Sequence, residues 1–237
     1  MMKKQLNWLF DYPNLKIYQY QEGFKFSLDS ILLAEFATIR KSDEKILDLC
    51  TGNGVIPILL HFKYQKNIVG VELQKEIASL ARDSVKENGM EDAISIIEDN
   101  VLELKNYFPG NNFDVVLSNP PYFKFHHPNF VNQNSLKSIA RHEVTICLEE
   151  LIEMASYLLK NKGRFYLVHI PERLDEIIVY ANKYGFGIKK IQFIHSKISE
   201  PPIIVLVALV KNGRFGCRIC PPLSIEGVES YQNLFKN

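Results

Sequence analysis

The chain has 237 residues, 46% of them hydrophobic and 23% charged, with a formal net charge of +1. This composition excludes a disordered or collagen-like chain and a polycation, so contact with nucleic acid would have to come from a local patch. The longest apolar run, residues 203–210, falls well short of the ~20 residues a membrane helix needs, and no continuous apolar signal core follows Lys3 and Lys4, so neither a membrane span nor export is expected.

Taken in chain order, residues 16–20 read as a strand and 28–39 as a helix with Ser27 at its N-cap. From residue 44 onward, short apolar runs alternate with longer amphipathic segments. A strand at 45–49 is broken by Gly52-Asn53-Gly54 before a helix begins at 55–62. A strand at 67–71, a helix at 74–88 with Gly89 placed to end it, and a strand at 94–97 follow. The remaining elements are a strand at 113–117, a helix at 148–159, and strands at 165–170, 188–195 and 203–210. The pattern is α/β: seven strands in a sheet sandwiched by helices over residues 44–237, preceded by a flank or lid over 1–43. Residues 120–143 are rich in Asn, His, Pro and Ser and long for a simple connection, which points to a functional loop.

Polar features fall at successive strand ends. Asp48-Leu49-Cys50-Thr51-Gly52-Asn53-Gly54 lies where the first core strand gives way to a helix, and its glycines let backbone approach a ligand closely. Glu72 ends the next strand about twenty residues later, where a carboxylate can accept hydrogen bonds from ribose hydroxyls. Asp99-Asn100 ends the third. Alone, a Gly-x-Gly is also a plain tight turn and a terminal acid is also a solvated one; their convergence on one crevice points to a cofactor containing adenosine.

Asn119-Pro120-Pro121-Tyr122 ends the fourth strand. The prolines stiffen the backbone and remove two N–H donors, so acceptors dominate the segment. Acceptors are what an exocyclic amine needs: hydrogen bonds to the Asn119 side-chain oxygen and the Pro120 carbonyl would favour a pyramidal nitrogen with its lone pair aimed outward. Tyr122, with Phe123 after it, offers a flat face for an extruded base. A bare rigid turn is the alternative reading of the segment.

Elsewhere, Cys217 and Cys220 form a lone C-x-x-C without the further ligands zinc requires, so no metal is expected, and the scattered cysteines fit a reducing cytoplasm. Lys160, Lys162 and Arg164, the pair Lys189 and Lys190, and Lys211, Arg214 and Arg218 are basic clusters, each of which is either a solvated face or an RNA contact.

With these motifs the chain resembles the class I S-adenosylmethionine-dependent methyltransferases that carry an Asn-Pro-Pro-Tyr motif. Within them it is similar to the bacterial tRNA(Val) adenine-37 N6-methyltransferases, through the stretch from Phe26-Ser27-Leu28-Asp29 to Ala34, through Asn119 to Phe123, and through Ala140-Arg141-His142-Glu143. The resemblance implies a seven-stranded Rossmann-like sheet with one reversed strand near the C-terminal edge. It implies methyl transfer from S-adenosylmethionine, leaving S-adenosylhomocysteine, to the N6 amino group of the adenosine beside a tRNA anticodon. It places Phe26, Ser27 and Asp29 at the methionine end of the cofactor, Asp48, Cys50, Gly52, Asn53 and Gly54 along its backbone loop, Glu72 and Leu73 at its ribose, Asp99 and Asn100 at its adenine, and Asn119 beside both cofactor and target. Gly is common in the family where Cys50 stands here. Phe123, Lys124, Arg141, His142, Lys189 and Lys190 become the candidate RNA contacts, with the anticodon stem-loop as partner and a monomer or weak dimer as the expected state. Competing readings are a protein-glutamine methyltransferase, for whose separate N-terminal domain the 43 residues before the first core strand are too few, methylation of a DNA adenine or a ribosomal RNA guanine, and a non-catalytic RNA-binding module.

Overall fold

The computed structural model describes residues 3–21, 28–122 and 146–227. The chain opens with an antiparallel hairpin of β1 (Lys4–Leu9) and β2 (Tyr12–Tyr20), turned at Asp11, whose φ is 67°. Then come α1 (Leu28–Phe36), β3 (Ile46–Leu49), α2 (Val55–Tyr64), β4 (Ile68–Glu72), α3 (Lys75–Glu87) and β5 (Ile94–Glu98). A 3-10 turn at Val101–Asn106 leads to β6 (Phe113–Ser118). The C-terminal half holds α4 (Leu148–Leu158), β7 (Leu159–His169), a 3-10 turn at Pro171–Arg173, α5 (Leu174–Lys183), β8 (Phe186–His195) and β9 (Pro202–Lys211). Two short strands, β10 (Arg218–Ile219) and β11 (Leu223–Ser224), close the described chain.

The main sheet runs β10-β8-β9-β7-β6-β3-β4-β5, with β11 also paired to β8. Its seven longer strands are those expected from the sequence, and β9 is antiparallel to both β7 and β8, the one reversed strand near the C-terminal edge. Alternation of side chains feeds two cores. Ile46, Val115, Leu117, Tyr166 and Val168 pack on one face with α1, α2 and the hairpin. Leu47, Leu49, Val116, Phe165 and Leu167 pack on the other with α4 and α5.

Three expectations are revised. The sequence reading of a strand at 16–20 captures only the end of β2 and misses β1, an edge strand whose residues Lys4 to Leu6 and Trp8 face solvent and so show no clean alternation. The strand expected from 165 begins at Leu159, because a bulge accommodates the polar run at 160–162, with Lys162 at φ 62°, between the pairs Phe113 with Leu159 and Val115 with Arg164. The sheet is also extended by β10 and β11, whose two-residue lengths leave no periodic signal. Gly89 takes φ 65° just after α3, as a helix-ending glycine should.

The hairpin is fastened to α3 through side chains that act as a missing strand. Asn88 accepts from the Lys16 amide at 3.0 Å and donates to the Lys16 carbonyl at 2.7 Å, while Ser84 Oγ accepts from the Tyr18 amide at 3.0 Å. Asn53, from the glycine loop, donates to the Tyr18 carbonyl at 3.0 Å. Leu9, Tyr12, Leu15 and Ile17 of the hairpin belong to the same core as α1 and α2. Among the described residues, no helix is long and apolar enough to cross a membrane.

Candidate active site at the strand ends

Strands β6, β3, β4 and β5 are parallel neighbours, and their register aligns Ser118 with Leu49, Leu49 with Val71 and Glu72 with Glu98. The residues just beyond these pairs therefore meet at one edge of the sheet: Cys50, Glu72, Asp99 and Asn119. Register alone converts four separate strand-end signals into one crevice, at the carboxyl ends where open α/β sheets bind ligands.

The glycine loop is built from left-handed backbone. Cys50, Gly52 and Gly54 have φ of 60°, 58° and 89°. Cys50 thus holds with a side chain a conformation that glycine adopts freely. Thr51 donates through Oγ1 to Asp48 Oδ2 at 2.6 Å and through its amide to the Val71 carbonyl at 2.8 Å. Asn53 stays in the loop through its backbone, but its side chain is turned onto β2.

Two buried carboxyls face this loop. Asp48 is fully buried, and its Oδ1 has no hydrogen-bond partner among the described residues. Burial pushes its carboxyl up to about 8, against the hydrogen bond from Thr51, with the neighbouring Glu72 adding to the rise. Glu72 accepts from the Gly52 amide through Oε2 and from the Gln74 amide through Oε1, each at 3.0 Å. Burial raises its carboxyl too, and those backbone donors pull it back. Burial pushes the Cys50 thiol up as well, with Glu72 and Asp48 reinforcing it, so this cysteine is not a thiolate nucleophile. Two buried acids beside the glycine loop, one with an unpartnered carboxyl oxygen, are suited to a cationic ligand that would favour their ionised forms.

At β5, the Asn100 amide donates to Asp99 Oδ1 at 2.7 Å and Tyr107 donates its hydroxyl to Asp99 Oδ2 at 2.5 Å. Asn100 caps the following 3-10 turn by accepting from the Leu102 amide at 2.9 Å. Leu73, 42% exposed, is an apolar surface next to Glu72.

The fourth strand end is tied to α1. Asn119 donates through Nδ2 to Ser30 Oγ at 3.0 Å. Tyr122 presents one phenolic proton to two acceptors, Asp29 Oδ2 at 2.7 Å and Asn119 Oδ1 at 2.8 Å. Its ring rests on His169, with centroids 4.9 Å apart and planes inclined by 40°. Tyr122 is therefore turned inward, and burial together with Asp29 raises its phenol. Pro120 is buried and Pro121 exposed at the sheet edge. The sequence reading missed Ser30 and His169. Ser30 sits inside a helical run, 89 residues from Asn119, whereas His169 ends its strand as Asn119 does and is detectable by that position.

Phe26, Ser27, Phe123, Lys124, Arg141 and His142 lie outside the described residues, as does the 123–145 part of the long loop. Lys189 and Lys190 are not at the strand-end crevice. Lys189 donates to the Arg214 carbonyl, and the Lys190 ammonium lies 4.4 Å from the Phe36 ring centroid, its pKa lowered by burial. A depression lined by Trp8, Phe10, Pro13 and Gln19 marks the opposite end of the hairpin, where Tyr12 meets Glu35 and Phe62 at the closing turns of α1 and α2. Among the described residues no cluster of three or more His, Cys, Asp or Glu is disposed to hold a metal.

Residues 28–174 match the methyltransferase small domain family. A protein of Pedobacter heparinus named tRNA1(Val) (adenine(37)-N6)-methyltransferase is 27% identical over 206 residues, covering 86% of this chain and 85% of that protein. A Porphyromonas gingivalis protein of the same name is 30% identical over 184 residues, 74% of this chain and 70% of the relative. Among solved structures, one from Agrobacterium tumefaciens described as a predicted O-methyltransferase, Atu636, superposes with a TM-score of 0.67 at 25% identity, covering 86% of this chain and 90% of that one. The family match spans α1, the glycine loop, the acidic strand ends and Asn119 to Tyr122, so the sheet order, the crevice and the comparison agree: the chain belongs to the methyltransferase small domain family.

Proposed function

We propose that the protein transfers a methyl group from S-adenosylmethionine to the N6 amino group of adenosine 37, beside the anticodon of a tRNA(Val), the reaction named for its relatives. The observation that carries this reading is the placement of Asn119, held by Ser30 and Tyr122 and followed by two prolines, next to the acidic crevice at the sheet's edge. The crevice fits the cofactor: the unpartnered Asp48 Oδ1 and the remaining lone pairs of Glu72 are acceptors for its cationic and hydroxyl-bearing parts, and the loop at Cys50 to Gly54 offers backbone. When bound, S-adenosylmethionine supplies an electrophilic methyl group on a positively charged sulfur.

The protein's part is positioning. Asn119 Oδ1 and the Pro120 carbonyl accept the two N–H groups of the target amine, turning the nitrogen lone pair outward. Each carbonyl oxygen has two lone pairs, so Asn119 receives the amine as well as the Tyr122 hydroxyl. The methylated amine would be acidic enough to release its proton to water, so no side chain need act as a base. Asp29, Ser30 and the flank over residues 1–43 are read as closing the methionine end of the site, and Leu73, Asp99 and Asn100 as bordering the nucleoside.

The test is single-turnover methylation of a mixed tRNA pool with labelled cofactor, mapped by nucleoside mass spectrometry. N6-methyladenosine at position 37 is expected, and label in guanine or in protein would overturn the substrate. Asn119→Ala should bind cofactor normally and lose about 100- to 1000-fold in methylation rate; an unchanged rate would remove this segment from the reaction.

A further inference from the structure

Beside the Asn119 segment stands a histidine that the reaction above does not use. Strands β6 and β7 are parallel neighbours with Ser118 opposite Leu167, so the next residues of each strand bring His169 alongside Asn119 to Tyr122. His169 is 1% exposed and carries the Tyr122 ring against its own. Its Nδ1 takes the Ile170 amide hydrogen at 2.8 Å. A backbone amide only donates, so Nδ1 bears no proton and the neutral ring keeps its single proton on Nε2. Burial, then the Arg173 cation, hold its pKa down to about 4, which leaves the imidazole uncharged at neutral pH. A neutral, desolvated ring without a substrate proton to move is a wall rather than an acid or base. The ring opposite it is tethered at the far end by its hydroxyl to Asp29 and Asn119. Tyr122 is thus held at two points, and His169 supplies the one that sets its tilt.

We propose that His169 is a positioning residue that fixes the plane of the Tyr122 ring and, through it, the seat of the target adenine beside Asn119. The adenine in this statement rests on the proposed function; the contact between the two rings does not.

A double-mutant cycle in the full-length protein tests it. His169→Ala should lower single-turnover methylation of tRNA by roughly tenfold to a hundredfold, the scale of a small misplacement of reacting groups, with cofactor affinity by calorimetry unchanged. In a Tyr122→Ala background the same change should add no further loss, because its effect passes through that ring. His169→Phe, which keeps a flat wall, should recover most of the rate. Additive losses, or a Phe variant as slow as the Ala variant, would overturn the proposal. Histidine-ring NMR needs no substrate, and its reading of the wild-type ring needs no variant. It should show His169 neutral with its proton on Nε2 at pH 7, and Tyr122→Ala should shift its ring resonances. A protonated Nδ1 or unmoved resonances would overturn the inference, whereas a wild-type protein inactive on every tRNA would overturn only the proposed substrate and leave NMR to decide His169.

Discussion

Asp48 is fully buried in the candidate site, and its electrostatics follow from that burial. Its carboxyl is pushed up to about 8 by burial, whereas an unfolded aspartate titrates at about 4. Because the folded value is the higher, its contribution to stability is complete below about pH 4 and is lost as the pH rises toward 8. Asp48→Asn should therefore flatten the decline in melting temperature between about pH 5 and pH 8, as a thermal series would show. A cation entering the crevice favours the ionised form, so uptake of S-adenosylmethionine near pH 7 should release a proton. Calorimetry in two buffers of different ionisation enthalpy should give different apparent enthalpies for the wild type and matching ones for Asp48→Asn. Identical wild-type enthalpies would mean that Asp48 does not change its protonation on binding.

Among the elements, the hairpin is tied to α3 through the backbone of its second strand. Asn88 bonds both the amide and the carbonyl of Lys16 and also donates to the Ser84 carbonyl at 2.7 Å. Asn88→Ala leaves two backbone groups of β2 without those partners, at about 1 to 3 kcal/mol, so the melting temperature should fall by several degrees; a drop below one degree would show that water replaces the amide at no cost. The sheet strands are legible in the sequence because strands buried on both faces leave near-continuous apolar runs, as at β9. The hairpin's first strand is not, since its solvent-facing side carries Leu6 and Trp8 beside Lys4, and Lys4 pairs with Asp83 on a helix far along the chain. The same distinction divides the site. Glu72, Asp99 and Asn119 stand out in the sequence because each is a polar residue at or just past a strand end, and Asp48 because it is an acid inside a buried strand that runs into the glycine loop. The Ser30 contact to Asn119 and the Tyr122 contacts to Asp29 and His169 cannot, because they join residues that only folding brings together.

At the scale of the whole molecule, a net charge of +1 gives no general attraction to RNA, so binding must depend on where cations are placed. The two lysines read from the sequence differ in this respect. Lys190 lies against Phe36 with its charge penalised by burial, while Lys189 reaches the Arg214 carbonyl beside a second cationic residue. If the RNA lies along this edge, Lys189→Ala should reduce the slope of log affinity against log salt by about 0.9, and Lys190→Ala should leave the slope alone while lowering thermal stability. Filter binding across a salt series separates the two, and equal slopes in all three proteins would move the RNA to another face. The reversed β9 carries one more consequence, for where the chain can be cut. It lies between β7 and β8 although it follows both in the chain. A chain ending at about residue 200 leaves β7 without a partner on its outer side and exposes a long apolar edge. Truncation there should yield insoluble chains, where truncation after β9, which among the described strands removes only the two short ones that follow it, should not.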